Sequence, residues 1–423
     1  MILTRRRTNE PTPSAASPSP SPGPTQPRSH VPALDGVRGI AIILVMAYHF
    51  AVSMGALGIT SPLLRLAQVG WCGVDVFFAL SGFLITGILI DTKSSPHYFR
   101  DFYARRVLRI FPLYYGSLLV VFLLRIALPE ANVWGAHDGT FAPASLVWPV
   151  LFLQNAAFLQ LGGSATGVTA HYWSLAVEEH FYLAWPLLVW LTTRRQLLAI
   201  AFLAAGFSIA ARAALHMHGI DFGKTFGLTP VRLDGLAIGA IAALAIRSRG
   251  GVAAATGPAL IILGAAGALL FGLLAWRHTS QQSDPALWVL GYPLVATATA
   301  AALVASLASG RLARLLSCRP LRWFGKYSFG LYVWHPLIGM LLFHSKVALL
   351  PTGAGKGVVL EMSLLVFVVD LLVAWLSFHL WEKHFLEFKK SFGAREARAL
   401  PVVPADTQIA FTQQSVTWPT EGG

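Results

Sequence analysis

The sequence predicts an all-α, polytopic membrane protein with about ten transmembrane helices and both termini on the cytoplasmic side. Three observations carry this expectation. Of 423 residues, 55% are hydrophobic and only 12% charged, whereas a soluble domain carries about 25% charge, so too few charges remain to cover a soluble surface. Apolar runs recur along most of the chain, several reaching the ~20 residues that cross a bilayer. The 32 Lys and Arg, against 19 Asp and Glu, gather in blocks between those runs, as cytoplasmic loops of membrane proteins do. A soluble enzyme, a disordered chain and a disulfide scaffold are excluded.

Taken in order, residues 1–30 are rich in Pro and Ser and lack apolar periodicity, which predicts a disordered cytoplasmic arm. No apolar stretch follows Arg5–Arg7 at the distance a signal peptide needs. A membrane domain is expected over 31–388 and a loose cytoplasmic tail over 389–423. Within the domain, spans are predicted near 38–57, 71–90, 110–128, 171–192, 197–215, 230–246, 256–275, 287–307, 324–344 and 359–381. A shorter apolar stretch, LVWPVLFLQNAAFLQL (146–161), contains Pro149, Gln154, Asn155 and Gln160 and reads as an eleventh span or as a re-entrant or interfacial piece.

Charge placement separates those readings. With ten spans and a cytoplasmic N-terminus, 24 basic residues fall on the cytoplasmic side and 8 outside; an eleventh crossing makes the division 16 to 16. The excess of Lys and Arg in cytoplasmic loops favours ten, with 146–161 on the outer face. Cys72 then lies near the outer surface and Cys318 in a cytoplasmic loop, so no disulfide joins them, and neither they nor the histidines have metal-ligand spacing. Gly235 and Gly239, in GLAIGAIAALA, are spaced for close helix packing.

Ionisable groups inside spans are costly and usually functional. Arg38 and His49 lie eleven residues apart on the first span; eleven steps of ~100° return to within ~20° of one face and rise ~16 Å. A cation at the inner mouth and an imidazole past mid-membrane therefore share a stripe. The plainer reading is an anchoring arginine and a packing histidine.

Asp75 lies about one turn below the outer surface of the second span, in GVDVFFALSGFLIT, with Ser81 deeper. On the fourth, HYWSLAVEEHFYLAWP, His171, Ser174 and Glu178 line one stripe. Counted from the outer end, Glu178 is ~10 Å deep and His49 ~12 Å deep, a depth match that suits a base and its orienting carboxylate. A structural polar network is the alternative. Arg105, Arg106 and Arg109, in FYARRVLRIFPLYY, head the third span. They anchor it at the membrane surface or, with Arg38, seat a polyphosphorylated cytosolic cosubstrate. Arg232 and Asp234 read as a structural pair, and His335 is expected near mid-membrane.

In this order, LDGVRGIAIILVMAYHF, GVDVFFALSGFLIT, FYARRVLRIFPLYY, HYWSLAVEEHFYLAWP, VRLDGLAIGA, YSFGLYVWHP and LWEKHFL together resemble the acyltransferase 3 family of integral membrane acyltransferases, over roughly 31–388. The resemblance implies transfer of an acyl group, commonly acetyl, from cytosolic acyl-coenzyme A to a hydroxyl of an extracytoplasmic or lipid-linked carbohydrate. By the same resemblance, Arg38 and His49 match the family's Arg and His, with His49 the expected catalytic residue. Arg105, Arg106 and Arg109 match its basic motif, and Ser174 and Glu178 its S-x-x-x-E. Some members carry a C-terminal esterase-like domain, which is not expected within this chain.

The expectation is thus a multi-pass O-acyltransferase of the cell membrane, the bacterial inner membrane in particular. His49, Glu178, Ser174 and Asp75 are its candidate catalytic residues, and Arg38, Arg105, Arg106 and Arg109 the candidate coenzyme A seat. The expected partners are membrane lipids, acyl-coenzyme A and a carbohydrate or glycolipid acceptor, with no nucleic acid, metal or permanently bound cofactor. A non-enzymatic translocator of an acyl or glycan-lipid substrate is the alternative.

Overall fold

The computed structural model describes residues 31–56, 59, 61–128, 147–161, 163–248, 250–308, 310–344, 356–388 and 391–392; the expected arm over 1–30 and nearly all of the tail lie outside them. The described residues form helices and connecting turns, ten of the helices having 13 residues or more. We number these α1 (Pro32–Ala56), α2 (Gly73–Thr92), α3 (Tyr98–Ala127), α4 (Trp173–Leu191), α5 (Arg194–Met217), α6 (Leu233–Ala245), α7 (Gly251–Arg277), α8 (Tyr292–Leu307), α9 (Arg319–Gly339) and α10 (Lys356–Ser377). Each overlaps one predicted span. Every backbone polar group in a bilayer must be satisfied within the chain, which leaves a sequence without barrel-like alternation only the helix.

Among the described residues, seven helical segments are long and apolar enough to cross a membrane, those of α1, α2, α3, α5, α7, α8 and α10, and the chain is a multi-pass membrane protein. The other three fall short, two by composition and one by length. α4 carries Glu178, Glu179 and His180, α9 begins with Arg319, Arg322 and Lys326, and α6 has only 13 residues. α4 and α9 both bring polar side chains to the interior, Ser174 and His335 among them.

Small residues set which helices touch. A Cβ placed on Gly39 of α1 would lie 2.0 Å from the carbonyl oxygen of Leu321, and one on Gly325 of α9 would lie 1.9 Å from that of Asp35; α1 and α9 therefore meet backbone to backbone. The same closeness joins α2 to α6, where a Cβ on Gly82 or Gly239 would lie 1.9 Å from Leu236 O or 2.0 Å from Ala79 O. The predicted Gly235/Gly239 packing is this contact, in which absent side chains admit a neighbouring helix.

The ambiguous stretch 146–161 does not form a span. It breaks into helices Val147–Val150 and Gln154–Leu161 around Phe152, whose φ is 56°. Eight helical residues extend only ~12 Å against a ~30 Å hydrocarbon core. The piece is held against its neighbours by polar contacts: Tyr114 and Tyr115 donate to Pro149 O (2.6 Å) and Val150 O (3.0 Å), and Asn155 Nδ2 donates to Thr229 Oγ1 (2.8 Å). Phe152 stacks on Tyr114 with centroids 4.3 Å apart.

Candidate active site

Two cavities meet the polar residues of the interior. The first, about 280 Å³, lies among α1, α2, α3, α4 and α9; Arg38, Arg106, Arg109, Ser81, Ser174, Glu178, Tyr182 and Tyr332 line it. The second, about 600 Å³, lies among α1, α9 and α10, and His49, His335 and Asp370 are polar groups on its wall. Arg38 and His49 share a stripe of α1, as their spacing predicts, yet they open into different cavities.

The first cavity holds three of the four predicted cations. Arg38 also pairs with Asp35 at 2.9 Å, and the guanidinium of Arg106 lies over the Tyr182 ring, 5.3 Å from its centroid. Arg105 is turned away from this cavity: its Nε donates to the carbonyl oxygen of Phe392 at 2.7 Å. Residues one apart on a helix point ~100° apart, so Arg105 and Arg106 cannot both face inward. Of the four arginines expected to act together, three line this cavity and Arg105 does not.

Glu178 faces these cations, with Oε1 accepting from Ser81 (2.6 Å) and Oε2 from Tyr182 (2.9 Å). Ser174 Oγ shares a 2.5 Å hydrogen bond with Tyr332 OH, which also donates to His171 O at 2.6 Å. These bonds account for Ser174 and Glu178 on the common stripe the sequence predicts.

The structure does not bring Glu178 to His49. His49 is oriented by the backbone of its own helix: Nδ1 lies 2.8 Å from Val45 O. A carbonyl oxygen only accepts, so Nδ1 carries the proton and Nε2 keeps its lone pair. Nε2 makes no hydrogen bond among the described residues, and His49 is part of the wall of the second cavity. Equal depth is not adjacency: the two side chains project from α1 and α4 into different spaces.

The partner of His49 is His335. Their rings meet edge to face, 4.8 Å between centroids at 72°, and His335 Nδ1 is likewise tied to a carbonyl, Leu331 O, at 2.9 Å. Tyr332 lies 6.0 Å from His335, and His171 lies 5.4 Å from Tyr332 and 5.8 Å from His335. A layer of aromatic and imidazole rings thus connects the two cavities. The signal for His335 is present in the sequence, an ionisable residue within an apolar span; its pairing with His49 is not. Among the described residues, no three His, Cys, Asp or Glu side chains are grouped to hold a metal ion.

Asp75, a predicted catalytic residue, lines neither cavity. It forms a buried ion pair with Arg232 at 2.9 Å, and that guanidinium lies 4.0 Å from the Tyr292 centroid and 5.1 Å from that of Trp173. The expected Arg232–Asp234 pair is corrected as well. Asp234 takes a two-pronged contact from Arg212, at 3.0 and 2.7 Å. Residues two apart at a helix start do not face each other, which leaves each of these charges to find a partner on another helix.

A family model described as an acyltransferase domain matches residues 31–379. The chain is 29% identical over 332 residues to the peptidoglycan O-acetyltransferase OatA of Listeria monocytogenes, covering 74% of this chain and 50% of that protein. It is 30% identical over 375 residues to YrhL of Bacillus subtilis (85% and 55%). With the O-acetyltransferase OatA of Staphylococcus aureus it shares 26% over 326 residues (73% and 51%). The chain therefore spans about half the length of the curated relatives it matches. No solved structure matches.

Proposed function

This chain belongs to the acyltransferase 3 family, and from that premise we propose that it is a membrane O-acyltransferase. It moves an acetyl group from acetyl-coenzyme A to a hydroxyl of a carbohydrate outside the cytoplasm or linked to a lipid. In this reading all ten long helices cross the membrane, both termini are cytoplasmic, and the arginine cavity opens to the cytosol. The single observation that carries the proposal is that Arg38, Arg106 and Arg109 line one cavity, while a layer of rings away His49, whose Nε2 makes no hydrogen bond among the described residues, lines another.

The chemistry follows from these placements. Guanidinium groups hold phosphate oxygens in pairs of parallel hydrogen bonds, so the three arginines receive the anionic coenzyme and direct its thioester inward. His49 Nε2 accepts the proton of the acceptor hydroxyl as that oxygen attacks the thioester carbonyl carbon. The C–S bond then breaks, and the proton passes from Nε2 to the departing thiolate. Val45 O keeps His49 in the tautomer that leaves Nε2 basic. Glu178, with Ser81 and Tyr182, keeps a fixed negative charge facing the arginines, and Asp75 serves packing alone.

The test is His49→Ala in membranes that retain normal protein levels, supplied with labelled acetyl-coenzyme A. Loss of a general base is expected to lower transfer ~10²- to 10⁴-fold. Unchanged transfer overturns the assignment.

A further inference from the structure

We propose that the second cavity is a lateral binding site for a membrane-embedded acceptor: a lipid whose polar end carries several free hydroxyl groups. Its hydrocarbon chain lies between α1 and α10, and one hydroxyl meets His49 Nε2. The proposal rests on the acyltransferase reading above and narrows its acceptor to a lipid approaching within the bilayer.

Size and access argue for a chain-bearing occupant. The cavity, about 600 Å³, is far larger than an acetyl group requires. α1 and α10 both pack on α9, which forms its floor. At its rim, Ile43 and Phe50 of α1 and Leu364 and Phe367 of α10 are exposed. On membrane-spanning helices an exposed apolar side chain faces lipid tails, which are as apolar as leucine. The cavity therefore opens sideways into hydrocarbon, where a soluble glycan does not travel and a lipid does.

The polar groups argue for hydroxyls. With Nδ1 of His49 and of His335 committed to carbonyl oxygens, each Nε2 is an acceptor. His335 Nε2 and Asp370 Oδ1 are buried and have no hydrogen-bond partner among the described residues, and Asp370 is 4% exposed. Buried acceptors left unmatched in an apolar space are costly. Three acceptors around one cavity, one from each of α1, α9 and α10, call for an occupant that supplies donors, which a sugar's hydroxyl groups do and a phosphocholine headgroup does not.

The test measures occupancy. The full chain is placed in phosphatidylcholine nanodiscs with a dodecyl glucoside bearing a diazirine in its chain, irradiated, and mapped by peptide mass spectrometry. Labelling is expected to concentrate on residues 43–54 and 363–370, and to be displaced by excess dodecyl glucoside but not by methyl glucoside or dodecylphosphocholine. Gly339→Trp is the blocking variant, because Gly339 lines the cavity and a Cβ there meets nothing within 4 Å. It should cut labelling about tenfold or more, equivalent to about 1.4 kcal/mol of binding. Ala47→Phe, on α1, is a second block in the same cavity. Gly272→Trp, on α7 and equally unobstructed, should change nothing.

Labelling spread over the lipid-facing surface, insensitive to both blocks, or displaced equally by dodecylphosphocholine identifies ordinary bilayer lipid and overturns the proposal. Groove labelling without any consumption of acetyl-coenzyme A removes the acyltransferase reading and leaves the site. Acetylation of methyl glucoside with no groove labelling does the reverse.

Discussion

His49 and His335, 286 positions apart in the chain, hold their rings edge to face with centroids 4.8 Å apart. Each is locked in the same tautomer by a carbonyl four residues earlier on its own helix. The pairing makes α9 as much a part of the candidate catalytic center as α1. It depends on the close backbone approach that Gly39 and Gly325 permit.

His335 should accordingly matter to turnover. Replacing it by Ala is expected to lower acetyl transfer about 10- to 100-fold, at the weak end of acid–base effects, while the donor KM stays within about twofold. His335→Phe keeps a ring against His49 and removes the nitrogens. Full recovery in that variant reduces the role of His335 to packing; continued loss assigns it to the ring nitrogen.

The arginines should divide by cavity rather than by sequence proximity. Arg106→Ala and Arg109→Ala are each expected to raise the KM for acetyl-coenzyme A about tenfold or more, the cost of losing a hydrogen bond to a charged group. Arg105→Ala, whose guanidinium is bonded to the Phe392 carbonyl, should leave that KM within about twofold. Steady-state kinetics of the three variants in nanodiscs decide the matter, and equal effects would remove the distinction.

Arg212 and Asp234 form a pair with side chains 0% and 2% exposed. Arg212→Met strands a buried carboxylate and is expected to cost about 3–5 kcal/mol. The double variant Arg212→Met/Asp234→Leu should recover most of that loss, since no unpaired charge remains. Thermal unfolding in detergent, followed by fluorescence-detected size exclusion, reads both. A double variant as unstable as the single one would show that the pair has a role beyond neutralising itself.

Close helix contact gives a further contrast. Gly82→Leu forces a side chain into the Leu236 carbonyl 1.9 Å away and is expected to destabilise by at least the roughly 1–3 kcal/mol typical of overpacking. Gly264→Leu, on α7 with nothing within 4 Å, should be neutral or mildly stabilising, since glycine is a poor helix former. The same unfolding assay compares them.

The positions of the helices were legible because the bilayer accepts few solutions: a run of apolar residues must be helical, and its length must match the hydrocarbon core. Candidate site residues were legible for a related reason. Arg38, His49, Glu178 and His335 stand out because an ionisable group inside a span is expensive. Partners were harder. Arg232 reads naturally with Asp234, two residues on, yet each pairs across helices, with Asp75 and Arg212 respectively. Glu178 reads with His49 by depth, yet its oxygens go to Ser81 and Tyr182.

The amino-acid sequence by itself determined that this chain is helical and membrane-embedded, and which few polar side chains it carries into the interior. It also determined that Arg38 and His49 share one stripe, since helical periodicity is a local property. Only the tertiary structure decided that the stripe serves two cavities, that Arg105 turns away while Arg106 and Arg109 turn in, and that His49 meets His335. Those outcomes depend on which helices approach closely enough for their backbones to touch. That adjacency is set by packing at Gly39, Gly82, Gly239 and Gly325, between residues far apart in the chain, where no periodicity within a single helix can register it.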